Sequence, residues 1–169
     1  DSEELPPGYT SIVTKDDLPH YLGIPNYYHT SKKNRPLNSR FTERYGMVNG
    51  LSYNSDGTGS ILVFETIAIP NVDRSSTPGT LTMTGKLGEV LTESVKISSS
   101  FVKLILSKNL IAYEGTTCQS ALNTLKTHQI HLHAPEGAIS KDGPSAGITI
   151  TLALLSLLLK KSVPNNVAM

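Results

Sequence analysis

The sequence predicts a mixed α/β fold, and three observations carry that expectation. Two stretches, Tyr45 to Tyr53 and Ile61 to Ile69, are rich in Val, Ile, Phe and Tyr, the residues that suit a pleated, half-buried surface. Leu87, Val90, Leu91, Ser94, Val95, Ser98, Phe101, Val102 and Ile105 recur at spacings of three and four, the period of an amphipathic helix. Ala146 to Leu159 is apolar apart from Gly147, Thr149, Thr151 and Ser156. That run is shorter than the roughly 20 residues a membrane span requires, and it reads as a buried helix.

The elements follow in order. Residues 1 to 43 hold five of the ten prolines, four tyrosines and the basic run Lys32-Lys33-Asn34-Arg35, and are expected to form an extended lead-in or linker. The N-terminus lacks the basic and apolar regions of a secretory signal. From residue 44 to 169 the pattern is that of a domain. Asn54-Ser55-Asp56-Gly57-Thr58-Gly59 joins the first two strands as a hairpin. A short strand near Thr80 to Thr84 follows Pro78-Gly79, and a helix is predicted over 88 to 107. Gly115 breaks that pattern, and Thr116 or Thr117 is placed to cap a shorter helix ending near Lys126. Gln129 to Ala134 alternates as a strand, and the apolar helix closes the order.

Composition narrows the function. A chain of 169 residues buries roughly 70% of its unfolded surface and has a real core. Charged residues are 17%, against about 25% in an ordinary soluble domain, and 19 Ser and 17 Thr fill the gap. The expected surface is polar but weakly charged. A net charge of +1 offers no basic excess for a phosphate backbone, so nucleic acid is not an expected partner, and no membrane association is expected. The single cysteine, Cys118, excludes an internal disulfide and a Cys-based zinc cluster, in keeping with an intracellular, reducing compartment.

The chemistry centres on Lys141-Asp142-Gly143-Pro144-Ser145-Ala146-Gly147. Asp142 or Gly143 lies outside the helix start, Pro144 falls in the first turn where its missing N–H costs nothing, and Ser145 stands among unpaired backbone N–H groups. Small neighbours leave the hydroxyl and those donors open, as an acyl-transfer nucleophile and its oxyanion require. The same pattern also fits a capped core helix with a serine near its start. His131 and His133 share one strand face and are candidate bases; with Glu136 they are candidate metal ligands, and they also fit ordinary packing on a half-buried strand. Lys160 and Lys161 follow Ser145 by some fifteen residues of helix, about 22 Å, and are excluded as its base. Lys141 is near in sequence but in a loop where nothing would lower its pKa. Gly79 to Leu87 departs from a phosphate-binding loop, with one residue too many before Gly85-Lys86 and Leu87 in place of Ser or Thr, so no nucleotide site is expected in this chain.

His131-Leu132-His133-Ala134-Pro135-Glu136-Gly137-Ala138, followed by Lys141-Asp142-Gly143-Pro144-Ser145-Ala146-Gly147, resembles the nucleophile region of Lon proteases, the ATP-dependent serine proteases with a Ser-Lys dyad. The likeness extends upstream in register. Leu81-Thr82-Met83-Thr84-Gly85-Lys86-Leu87-Gly88-Glu89-Val90 with Glu93-Ser94 is similar to the strand and helix before the active site. Gly46-Met47-Val48-Asn49-Gly50-Leu51-Ser52-Tyr53 is similar to the opening strand of the protease domain. Tyr21-Leu22-Gly23-Ile24-Pro25 is similar to the joint after the small domain of the ATPase module.

The resemblance implies a Lon-type α/β proteolytic domain of mixed sheets and packed helices, related to ribosomal-protein folds, with residues 1 to 43 leading in from the ATPase small domain. It implies Ser145 as the nucleophile of an endopeptidase that degrades misfolded or regulated proteins, with Asp142, Gly143 and Pro144 shaping the site. His131, His133 and Glu136 match supporting positions and not the general base. In the family the dyad lysine follows a Val-Ala-Met strand, here Val167-Ala168-Met169, so the catalytic lysine is expected beyond Met169 and these 169 residues alone are expected to be inactive. The domain would then be C-terminally incomplete. The resemblance further implies protein and peptide substrates, a homohexameric ring, and ATP with Mg in a separate ATPase module, with no cofactor or metal in this chain. Asn49-Gly50-Leu51-Ser52-Tyr53 and Thr84-Gly85-Lys86-Leu87-Gly88 are similar to the peroxisomal Lon proteases of fungi and favour the peroxisomal matrix over the mitochondrial matrix or bacterial cytoplasm. A non-catalytic or degenerate module of the same fold, used for ring assembly or anion binding at the helix start, is the alternative.

Overall fold

A computed structural model describes residues 10, 12–14, 16–17, 20–21, 44–53, 57, 59–71, 79–111, 115–135, 143–164 and 166–169. The chain divides into two compact units, Asp1–Pro36 and Leu37–Met169. In the first, the Asp17 carboxylate accepts from the Thr14 amide at 2.9 Å and the Thr14 hydroxyl at 2.6 Å. The His20 amide in turn donates to the Asp17 carbonyl at 2.9 Å, and the His20 and Tyr21 rings meet edge to face.

The second unit is an α/β fold. Strands β1 (Met47–Tyr53), β2 (Gly59–Pro70) and β3 (Leu81–Thr84) precede helices α1 (Glu89–Ser107) and α2 (Cys118–Thr127). Strand β4 (His128–His133), a 3-10 turn (Pro144–Ala146) and helix α3 (Gly147–Leu159) complete it. The sheet order is β1-β2-β4-β3. The first two pairings are antiparallel, including the expected β1–β2 hairpin, and β3 runs parallel to β4.

Alternation along the strands sends Val48, Leu62, Phe64, Thr66, Ile130 and Leu132 to one face, where they are buried. The helices pack on that face, α3 against β1 and β2, and α1 against α3. The buried stripe of α1 is Leu91, Ser94, Val95, Ser98, Val102 and Leu106, the spacing of an inward helix face. Helix α3 is apolar nearly all round because it is enclosed, with Ile150, Ala153, Leu154 and Leu158 at 2% exposure or less. Helix α2 opens on Thr117, whose hydroxyl accepts from the Ser120 amide at 3.1 Å. No described helix covers the other sheet face, and Leu51, Tyr53, Ile67 and Ile69 are exposed there.

Two features differ from the expectations. The hydroxyl-rich composition pointed to a polar surface, yet every buried polar residue described is a Ser or Thr: Thr66, Ser94, Ser98, Thr149, Thr151 and Ser156. The Thr66, Ser98, Thr149 and Ser156 hydroxyls donate to backbone carbonyls, so they enter a core that would reject a charge. Val167 to Met169 forms a single parallel bridge, Asn49 to Ala168, in place of a strand. The bridge is reinforced by Leu51 N–H donating to the Met169 carbonyl at 2.8 Å and Met169 N–H to the Asn49 carbonyl at 3.1 Å.

Candidate active site

Ser145 is exposed, in the middle of the 3-10 turn that leads into α3. Gly143 enters that turn at φ +157° and ψ +146°, a backbone that side chains rarely adopt. No described atom lies within 4 Å of the place its Cβ would take, so the demand for glycine there is torsional and not steric. Pro144 supplies the first residue of the turn, where a missing donor is harmless. The α-helix proper begins at Gly147, so Ser145 sits just ahead of it, beside backbone donors that lack intrahelical partners.

Two ties hold this helix start. Ser98 of α1, 2% exposed, donates its hydroxyl to the Gly147 carbonyl at 2.9 Å. Thr149, 1% exposed, donates to the Met169 carbonyl at 3.1 Å, and that carbonyl also receives Leu51 N–H from the edge of β1. Thr149 is about 6 Å along the helix from Ser145. The serine turn is thereby anchored from both α1 and the β1 edge. Among the described residues the Ser145 hydroxyl makes no hydrogen bond of its own.

The remaining candidate residues are distributed around the fold. Lys160 and Lys161 lie past the far end of the unbroken α3. His131 and His133 alternate with the buried Ile130 and Leu132, so they project from the sheet face opposite the helices. Both rings engage hydroxyls of β3. His131 Nδ1 lies 3.1 Å from Thr82 Oγ1 and its Nε2 3.0 Å from Thr84 Oγ1, while His133 Nδ1 lies 2.6 Å from Thr84 Oγ1. These contacts do not link the histidines to Ser145. Glu136, Lys141 and Asp142 lie outside the described residues. Among the described residues no three His, Cys, Asp or Glu side chains are grouped to hold a metal ion. Leu81 to Thr84 is a paired strand, so this segment is not a loop that could wrap a phosphate.

Sequence reasoning missed Ser98, Gly147 and Thr149 as supports of the turn, and Thr82 and Thr84 as partners of the histidines. Ser98 left one trace, a hydroxyl inside an apolar helical stripe. The threonines left none, because their partners are about 49 residues away along the chain.

The chain matches the Lon protease (S16) C-terminal proteolytic domain over residues 12–169. It is similar to the peroxisomal Lon protease homolog 2 of Pichia angusta, 46% identical over 160 residues that cover 95% of this chain and 16% of that protein. The homolog of the same name in Kluyveromyces lactis is 45% identical, with 93% and 15% covered. The Lon protease of Clostridioides difficile is 37% identical, with 94% and 17% covered. The chain thus spans about one sixth of the length of these relatives. No described helix is long and apolar enough to cross a membrane. By the match over residues 12–169 and these identities, the chain belongs to the Lon protease family, in its C-terminal proteolytic domain.

Proposed function

We propose that this chain carries the nucleophile of a Lon-type serine endopeptidase, with Ser145 attacking the scissile carbonyl of a protein substrate. The observation that carries the reading is an exposed serine hydroxyl at the start of a buried helix, in a chain of this family. The Ser145 oxygen forms the bond to the carbonyl carbon as its proton passes to a lysine base supplied beyond Met169. The negative charge that develops on the carbonyl oxygen is met by backbone N–H groups of the helix start, held in place before reaction. The base returns the proton to the leaving amine, and water then releases the acyl group by the same path.

On this reading the full-length protein couples hydrolysis to ATP and Mg in its ATPase module, assembles as a hexameric ring and acts on misfolded or regulated proteins. Residues Asp142, Gly143 and Pro144 shape the site, with His131, His133 and Glu136 in support. The naming of the Pichia angusta and Kluyveromyces lactis relatives supports a peroxisomal matrix location. A fluorescent fusion of the full-length protein tests that location, and a mitochondrial or diffuse cytosolic signal overturns it. The catalytic assignment is tested in the full-length protein with Ser145→Ala. Peptide hydrolysis and labelling by a fluorophosphonate are both expected to vanish while the unfolding transition stays in place. Retained turnover defeats the assignment.

A further inference from the structure

Serine and threonine hydroxyls inside a helix ordinarily return to the carbonyl four residues back. Ser100 does so to Lys96 at 3.0 Å, Thr124 to Ser120 at 3.2 Å and Thr127 to Asn123 at 2.8 Å. For Thr149 that acceptor would be the carbonyl of Ser145 itself. Its hydroxyl donates instead to the Met169 carbonyl at 3.1 Å, 20 residues further along the chain. We propose that Thr149 is a positioning residue that fixes the backbone at Met169 relative to Ser145, and with it the start of the segment that carries the base.

The carbonyl that Thr149 reaches is held from a second side. Leu51 N–H of β1 donates to the same oxygen at 2.8 Å, and Met169 N–H donates to the Asn49 carbonyl at 3.1 Å. Those two backbone bonds tie Met169 to the β1 edge and leave its spacing from α3 open. The Thr149 hydroxyl closes that spacing. It stands about 6 Å along α3 from Ser145, and at 1% exposure the bond is shielded from competing water.

A serine passes its proton to a base only when the two heavy atoms come within hydrogen-bond reach, about 2.6–3.2 Å. The segment bearing that base leaves from the Met169 carbonyl, so a displacement of about 1 Å there carries through to the base and can cost on the order of a hundredfold in rate. Without the Thr149 hydroxyl, Leu51 N–H still satisfies the Met169 carbonyl. The acceptor then stays paired and the fold is retained, while the spacing between Met169 and α3 is released. Substrate contacts are not in this path, so the effect falls on kcat and not on KM.

This inference rests on Ser145 being the nucleophile with its base after Met169, and the experiment separates the two. In the full-length protein Thr149→Val removes the hydroxyl and keeps the shape of the side chain. Its kcat for a fluorogenic peptide is expected to fall about ten- to a hundredfold with KM within about twofold of wild type, and fluorophosphonate labelling of Ser145 is expected to slow in step. Thr149→Ser, which keeps the hydroxyl, should restore both rates. Wild-type kcat and labelling in a folded Thr149→Val overturn the inference, and so does a change confined to KM or a Thr149→Ser as slow as the valine variant. If Thr149→Val does not fold, Thr149→Ala compared with Thr149→Ser below the unfolding transition decides by the same criteria. Ser145→Ala is measured alongside. Retained turnover in that variant removes the nucleophile assignment, whereas an inactive Ser145→Ala beside a wild-type-like Thr149→Val removes only the role of Thr149.

Discussion

The Ser98 hydroxyl donates to the carbonyl of Gly147 at 2.9 Å, two residues beyond Ser145. It is a side chain of the buried α1 stripe reaching the first α-helical residue behind the serine turn, so the packing of one helix sets the position of the other's start. Replacing Ser98 with Ala removes a buried donor and should cost about 1 kcal/mol of unfolding free energy. If Ser145 is the nucleophile as proposed, the kinetic signature in the full-length protein is a fall in kcat with little change in KM, because the serine turn is displaced while substrate contacts remain. A variant that loses stability but keeps wild-type kcat would show that Ser98 supports the fold alone.

Gly147 itself is open to improvement. It has helical φ and ψ of −55° and −41°, and a Cβ placed there would meet its nearest neighbour, Ser98 Oγ, at 3.9 Å, an ordinary contact. Gly147→Ala should therefore stabilise the chain by about 0.5–1 kcal/mol through the lower entropy of its unfolded state, read as a rise in Tm. A drop in Tm would mean that the helix start is packed more tightly than the geometry indicates.

Gly46 is the opposite case. Its φ is +80°, and a Cβ would fall 2.5 Å from both the carbonyl and hydroxyl oxygens of Thr66. Around it the Thr66 hydroxyl donates to the Gly46 carbonyl at 2.9 Å, and Gly46 N–H donates to Ser156 Oγ at 2.9 Å. The Ser156 hydroxyl in turn donates to the Lys161 carbonyl at 2.5 Å. Gly46→Ala combines a left-handed backbone penalty with a backbone clash and should cost roughly 3 kcal/mol or more. Thr66→Val and Ser156→Ala, which remove hydrogen bonds without a clash, should each cost about 1–2 kcal/mol. Denaturant unfolding of the three variants checks the order, and an equal cost for all three would place the effect in the hydrogen bonds alone.

This network marks where the sequence stopped being legible. Strands β1, β2 and β4 were readable because alternation survives wherever one sheet face is buried, and α1 because its stripe repeats at three and four. Helix α3 was readable from its length and uniform apolarity, and the cap of α2 as Thr116 or Thr117 from their place after Gly115, the structure using Thr117. None of these signals extends beyond its own element. Gly46, Thr66 and Ser156 lie up to 110 residues apart, and a threonine in a strand or a serine in an apolar helix looks the same whether it faces solvent or closes a network. The candidate site divides in the same way. Gly143, Pro144 and Ser145 form a motif that a short window of sequence displays, whereas the hydrogen bonds of Ser98, Thr149 and Thr84 run to distant partners that no such window contains.

In the first unit, pH should act through Asp17. The Thr14 hydroxyl and the Thr14 amide hold its carboxyl below the ordinary aspartate value of about 3.9. A depressed folded-state pKa contributes order that is present above the ordinary value and is lost as pH falls through the lowered one. The Thr14 amide resonance should therefore keep its neutral-pH position down to about pH 4 and move only below it. Asp17→Asn should abolish that titration. An inflection at or above the ordinary value would show that the turn does not hold the carboxylate in solution.

Lys160 offers a test that separates stability from chemistry. It ends α3 in the left-handed conformation, φ +54° and ψ +42°, with its amide and that of Lys161 returning to the Leu157 and Ser156 carbonyls. A side chain in that conformation costs about 1 kcal/mol, which glycine does not pay. Lys160→Gly should raise the unfolding free energy by about that amount. The residue lies past the far end of α3 from Ser145, and it is exposed. No path brings its amine to the serine while the helix is intact, so peptide hydrolysis by the full-length variant should match the wild type. A stabilised but inactive Lys160→Gly would make Lys160 the base and require α3 to break during turnover, which the burial of its residues other than the exposed Ile148 opposes.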